Sequence, residues 1–87
     1  MNHEQQSNVA HKPTGNVYRI ESGQFGIVRY CGGSCKVYVA LLESDTVTGA
    51  IKELEKKRPE WRFVHADSDT VAWGKIHFRA QGAAELI

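Results

Sequence analysis

Between residues 25 and 55 two strand-forming runs flank Gly32-Gly33-Ser34, and a capped amphipathic helix follows without a break. That order predicts a small α+β domain built on an antiparallel sheet. Residues 25–31 and 35–42 carry the aromatic and β-branched side chains of strands. The three residues between them match a common hairpin length, with glycine available for the left-handed position.

Upstream, residues 16–21 alternate Tyr18 and Ile20 with Arg19 and Glu21, the period of a half-buried strand. Ser22-Gly23-Gln24 is turn chemistry, so three consecutive strands form a meander. In the third strand Val37, Val39 and Leu41 alternate with Tyr38, Ala40 and Leu42, and neither side is polar. Such a strand is contacted on both faces. With a single helix to cover the sheet, the Tyr38, Ala40 and Leu42 side, or else the Val37, Val39 and Leu41 side depending on register, is the expected face of a homodimer.

Ser44 or Asp45 is positioned to cap a helix running to about Arg58. Val47, Ala50, Ile51 and Leu54 form its apolar stripe, and Pro59 ends it. Residues 61–66 and 71–80 read as a fourth and a fifth strand around the polar loop 67–70. The expected order is βββα then a ββ hairpin: a five-stranded antiparallel sheet with one amphipathic helix on one face.

Residues 1–14 hold only Met1, Val9 and Ala10 as apolar side chains, the composition of a disordered polar tail ahead of a single domain at 15–87. A domain of that size buries only about 60% of its unfolded-chain surface, which favours a partner. Eleven Lys and Arg against ten Asp and Glu lack the basic excess of a typical nucleic-acid binder. Neither a signal-peptide run nor a stretch long enough to span a bilayer is present. The expectation is a soluble cytoplasmic protein, not associated with membrane, whose two cysteines stay reduced.

Cys31 and Cys35, opposed across a three-residue loop, would lie within disulfide reach. Closing so short a loop stabilises little, and the spacing is not the redox C-x-x-C. Zinc could draw on the same thiols with His65 and His77, but the spacing matches neither a knuckle nor a helical pair. His3 and His11 sit in the tail. Asp67 and Asp69 lack the ligand series of a calcium loop and suit turn capping instead. No G-x-S-x-G elbow or phosphate-binding glycine loop occurs, so no enzyme, catalytic residue, metal or cofactor is expected.

The fifth strand carries the binding candidates. By period two, Trp73, Lys75, His77 and Arg79 share one face, with Arg29 and Lys36 as possible extensions. An aromatic beside cations could stack a base and contact phosphates, and it serves a protein partner equally well. The element order over residues 17–58 resembles the sheet-plus-helix modules that lie in the DNA major groove, such as integrase arm-binding and plant AP2-type domains. The segment after Pro59 departs from both, and no residue string carries the likeness. Near-neutral charge favours a non-enzymatic protein-interaction module that self-associates through its sheet. Nucleic-acid binding is the alternative, and a redox or zinc site at the Cys31/Cys35 hairpin is the third reading.

Overall fold

A computed structural model describes residues 12–87. The chain runs β1 (Thr14–Glu21), β2 (Gln24–Cys31), β3 (Ser34–Leu41), α1 (Val47–Lys57), β4 (Arg62–His65), α2 (Ser68–Gln81) and β5 (Ala84–Glu85). The strands lie in the order β4-β1-β2-β3-β5. The meander is antiparallel, as its two tight turns require, while β4 joins β1 and β5 joins β3 in parallel. The sheet is therefore mixed, not antiparallel throughout, and two helices pack on it instead of one. Most of the expected tail, residues 1–11, lies outside the described residues. Pro13 already accepts a bond from the Arg62 N–H at 2.8 Å, just ahead of β1.

The segment expected as a fifth strand is the helix α2, and local chemistry explains why. The Asp67 side chain accepts the Thr70 N–H at 2.8 Å, the capping bond that starts a helix. Asp69 in the first turn and Arg79 in the last complement the dipole. Gly82, at φ 75°, ends the helix and donates its N–H to the Phe78 carbonyl at 2.9 Å. The aspartates expected in a hairpin loop are thus a helix start. At the other helix, Thr46 is the cap, accepting the Gly49 N–H at 3.1 Å, and neither Ser44 nor Asp45 fills that place. The Glu53 carboxylate accepts the Glu43 and Ser44 N–H groups at 3.1 and 2.9 Å, which ties α1 back to the end of β3.

One helix covers each face of the sheet. Beneath α1, Ala50 and Leu54 meet Val17, Phe25, Ile27, Ala40 and Leu42, with Trp61, Phe63 and Leu86 closing the layer. Beneath α2, Tyr18, Val28 and Val37 form a smaller core with Cys35 and Val71. This arrangement corrects the expected dimer face. Ala40 and Leu42 are buried under α1 with Tyr38 packed beside them, and Val37 is buried under α2. The two helices cover most of the apolar side chains on both faces of β3, while Leu41 at its end stays 66% exposed.

The α2 layer depends on small residues. A Cβ added at Gly74 would stand 2.8 Å from Val28 Cγ2 and 2.9 Å from Tyr18 Cε1. Across the sheet the Tyr18 ring lies over Gly26, its pairing partner on β2. Gly74→Ala should gain about 1 kcal/mol in helix propensity but lose about 1 to 3 kcal/mol by overpacking. Urea denaturation is expected to report a net loss, because Val28 and the buried Tyr18 ring have little room to shift. A net gain would mean that α2 stands off the sheet.

The α2 cap also gives a pH dependence. Hydrogen bonds from the Thr70 N–H and hydroxyl hold the Asp67 carboxyl below its ordinary range. A depressed carboxyl contributes stability that is fully present above the unfolded value of about 3.9 and is lost as pH falls through the lower folded value. Asp67→Asn keeps a capping oxygen, so its melting temperature should fall less steeply than that of the parent chain below about pH 4. Superimposable acid limbs would show that this carboxylate carries no part of the acid sensitivity.

Candidate interaction surface

Because α2 rests on the sheet through Thr70 and Gly74, its larger side chains are held away from the sheet. Trp73 is 53% exposed, Ile76 57% and Phe78 40%, values unusual for such side chains. At about 100° per residue, Trp73, Ile76 and Ala80 fall along one side of the helix. Their i, i+3, i+7 spacing is the stripe by which helices ordinarily pack. Here it faces water.

The stripe continues onto the β2–β3 hairpin. Tyr30, 51% exposed, shares a hydroxyl hydrogen bond of 2.9 Å with Thr70 Oγ1. Tyr30, Gly32, Cys35, Trp73 and His77 line a cleft of about 250 Å³, with the Trp73 and His77 rings 5.8 Å apart. Aromatic walls beside a glycine turn, with one titratable imidazole, suit an inserted apolar or aromatic side chain.

The six expected binding residues do not form one face. Trp73 and His77 stand together on one flank of α2, and Lys75 and Arg79 stand on the other. The alternation over residues 71–80 belongs to no strand, so it cannot align the four. Arg29 lies on the α1 side of the sheet, its guanidinium carbon 5.6 Å from the Trp61 ring centroid. Lys36 is its partner across β2–β3 and is exposed on that same side. The residues that sequence reasoning missed are Tyr30 and the outward Ile76 and Phe78. The signal that could have found them is the pair of helix boundaries at Asp67 and Gly82.

The hairpin register is one residue away from expectation. Gly32 and Gly33 alone make the turn, with Gly32 at φ 61°, so Ser34 faces Cys31 and Cys35 faces Tyr30. Cys31 and Cys35 then project to opposite faces of the sheet, and both are free thiols. Burial, with a smaller contribution from Cys31 nearby, pushes the Cys35 thiol up from its ordinary value. Cys35 shares its cleft with His77, but a thiol kept protonated is a poor nucleophile. His65 sits on β4 with Nε2 3.4 Å from Thr48 Oγ1. His3 and His11 fall outside the described residues. Among the described residues no group of three or more His, Cys, Asp or Glu side chains is placed to hold a metal ion.

On the other flank of α2, Tyr18, Arg19, Ile20, Lys75, Phe78 and Arg79 line a cleft of about 340 Å³. The Tyr18 hydroxyl is buried without a hydrogen-bond partner, and burial raises its pKa from the ordinary value. Leaving such a group unpaired costs about 1 to 3 kcal/mol.

Comparison with protein-family models, with curated proteins and with solved structures finds no match to this chain. Among the described residues no helix is long and apolar enough to cross a membrane.

Alkylation kinetics probe the hairpin. In a Cys31→Ser variant only burial acts on Cys35, and its iodoacetamide rate should still rise at higher pH than that of an ordinary cysteine near pKa 8.5. A rate rising at lower pH would reveal an activated thiolate and promote a chemical role for the Cys35–His77 cleft.

Proposed function

We propose that this chain is a non-enzymatic protein-interaction module whose contact surface is the outer stripe of α2 together with Tyr30. The observation that carries this reading is the exposure of Trp73 and Ile76, each more than half in water, while the sheet residues beneath both helices are buried. Scattered apolar side chains on a surface are ordinary, but a helical stripe continuous with an aromatic cleft is an association surface. We take the module to act in the cytoplasm, where both thiols stay reduced.

The partner we favour is a second copy of the chain. An antiparallel pair of α2 helices about a twofold axis would bury both stripes against each other. The same pairing sets the acidic first turn at Asp69 toward the basic last turn at Arg79 of the other copy. Self-association through the sheet has no comparable support, since each face is already occupied by a helix. Nucleic-acid binding draws on cations that stand in separate places and on a net charge of only +1, which favours the protein reading over it. A redox or zinc role at the hairpin has still less support, with its thiols on opposite faces.

Light scattering at micromolar to millimolar concentration tests this. The parent chain should report a dimer, and Ile76→Lys, which puts a charge into the stripe without touching either core, should report a monomer that still melts cooperatively, at a temperature independent of concentration. A parent chain that stays monomeric throughout, or an Ile76→Lys dimer, would overturn self-association through α2.

A further inference from the structure

We infer that the cleft between α2 and the end of β1 is a binding site for a small aromatic phosphomonoester, the chemical class that includes nucleoside monophosphates. Its rim carries Lys75 and Arg79, four residues apart on one helix face, and neither is in a salt bridge among the described residues. Like charges at that spacing repel, and no carboxylate lines the cleft to relieve them. Arg19 also borders the space, but its guanidinium is turned away to Asp45 at 3.1 Å. Two unengaged cations suit one phosphate group, whereas a nucleic-acid strand calls for a longer series of them.

Two further features point to the rest of the ligand. Tyr18, only 5% exposed, lines the same cleft and has its hydroxyl buried without a partner. That hydroxyl is shut between Gly26 and Gly74, so what Tyr18 offers the cleft is the side of its ring. Phe78, 40% exposed, stands between the two cations in sequence and on the cleft wall, where it can stack on a planar ring. The volume, about 340 Å³, lies at the small end of ligand sites. The cleft lies on the opposite flank of α2 from Trp73 and Tyr30, and Arg79 alone is shared with the proposed self-association, so loss of ester binding in Lys75→Gln with the dimer intact tells the two inferences apart.

Amide-resolved NMR titration of the full chain with phenyl phosphate, adenosine monophosphate and inorganic phosphate tests it. The aromatic esters should give saturable shifts at residues 18–20 and 75–79, and inorganic phosphate should bind the same residues more weakly. Lys75→Gln and Arg79→Gln should each weaken the aromatic esters about tenfold, the scale of one lost charge-assisted hydrogen bond. Tyr18→Phe should leave their affinity unchanged and the unliganded melt unchanged or higher, since the hydroxyl it removes is enclosed and unpaired. Shifts that never saturate, or that survive both cation substitutions, would overturn the site. So would equal binding of inorganic phosphate and the aromatic esters, because Phe78 would then contribute nothing.

Discussion

The contact on which most of this structure turns is the seating of Gly74 against Tyr18 and Val28. A side chain at that position would lift α2 from the sheet, and the second core would lose its cover. The close approach also explains the unusual surface. A helix that touches its sheet through glycine and threonine has no use for its large residues underneath, so Trp73 and Ile76 turn outward. The same approach encloses the Tyr18 hydroxyl with nothing to bond. The apolar stripe and the unpaired phenol are thus two results of one packing choice.

The meander and α1 were legible because their patterns match their environments. Val47, Ala50, Ile51 and Leu54 repeat at helical spacing and lie against a conventional core, and the central strands alternate as their two-sided burial requires. The second helix was not legible by the same method. Its fully buried residues are Thr70 and Gly74, which carry no hydrophobic signal, and beside Val71, which packs on the core, its larger apolar residues Trp73, Ile76 and Phe78 face solvent. Periodicity assumes that apolar means inward, and here that assumption fails. The boundary chemistry at Asp67 and Gly82 was present, but a polar cluster and a glycine also suit a hairpin. For the candidate site, Trp73, Lys75, His77 and Arg79 stand out in the sequence as an aromatic residue among cations. Their geometry was not legible, because a change of period from two to 3.6 separates the aromatic from the cations.

The β2–β3 turn shows how much hangs on a single residue of register. With Ser34 inside the turn, Cys31 and Cys35 would share a face and invite redox or metal chemistry. With Ser34 in the strand, one thiol lies toward α1 and the other lies beside Val37 in the α2 core. Gly32 at positive φ makes the tighter turn accessible.

The two parallel pairings carry a consequence for the order in which this chain can fold. Strands β1 to β3 and the start of α1 make contacts between neighbours along the chain, so they can form quickly. β4 must return to Thr14 and β5 to Tyr38, each closing a long loop before any contact offsets the lost entropy. Leu86 completes the layer under α1 only after α2 has been laid across the opposite face. Until then the meander exposes the Tyr18, Val28 and Val37 surface. A half-folded chain therefore presents an apolar sheet face that the finished protein hides, and that interval is its most exposed to wrong pairing.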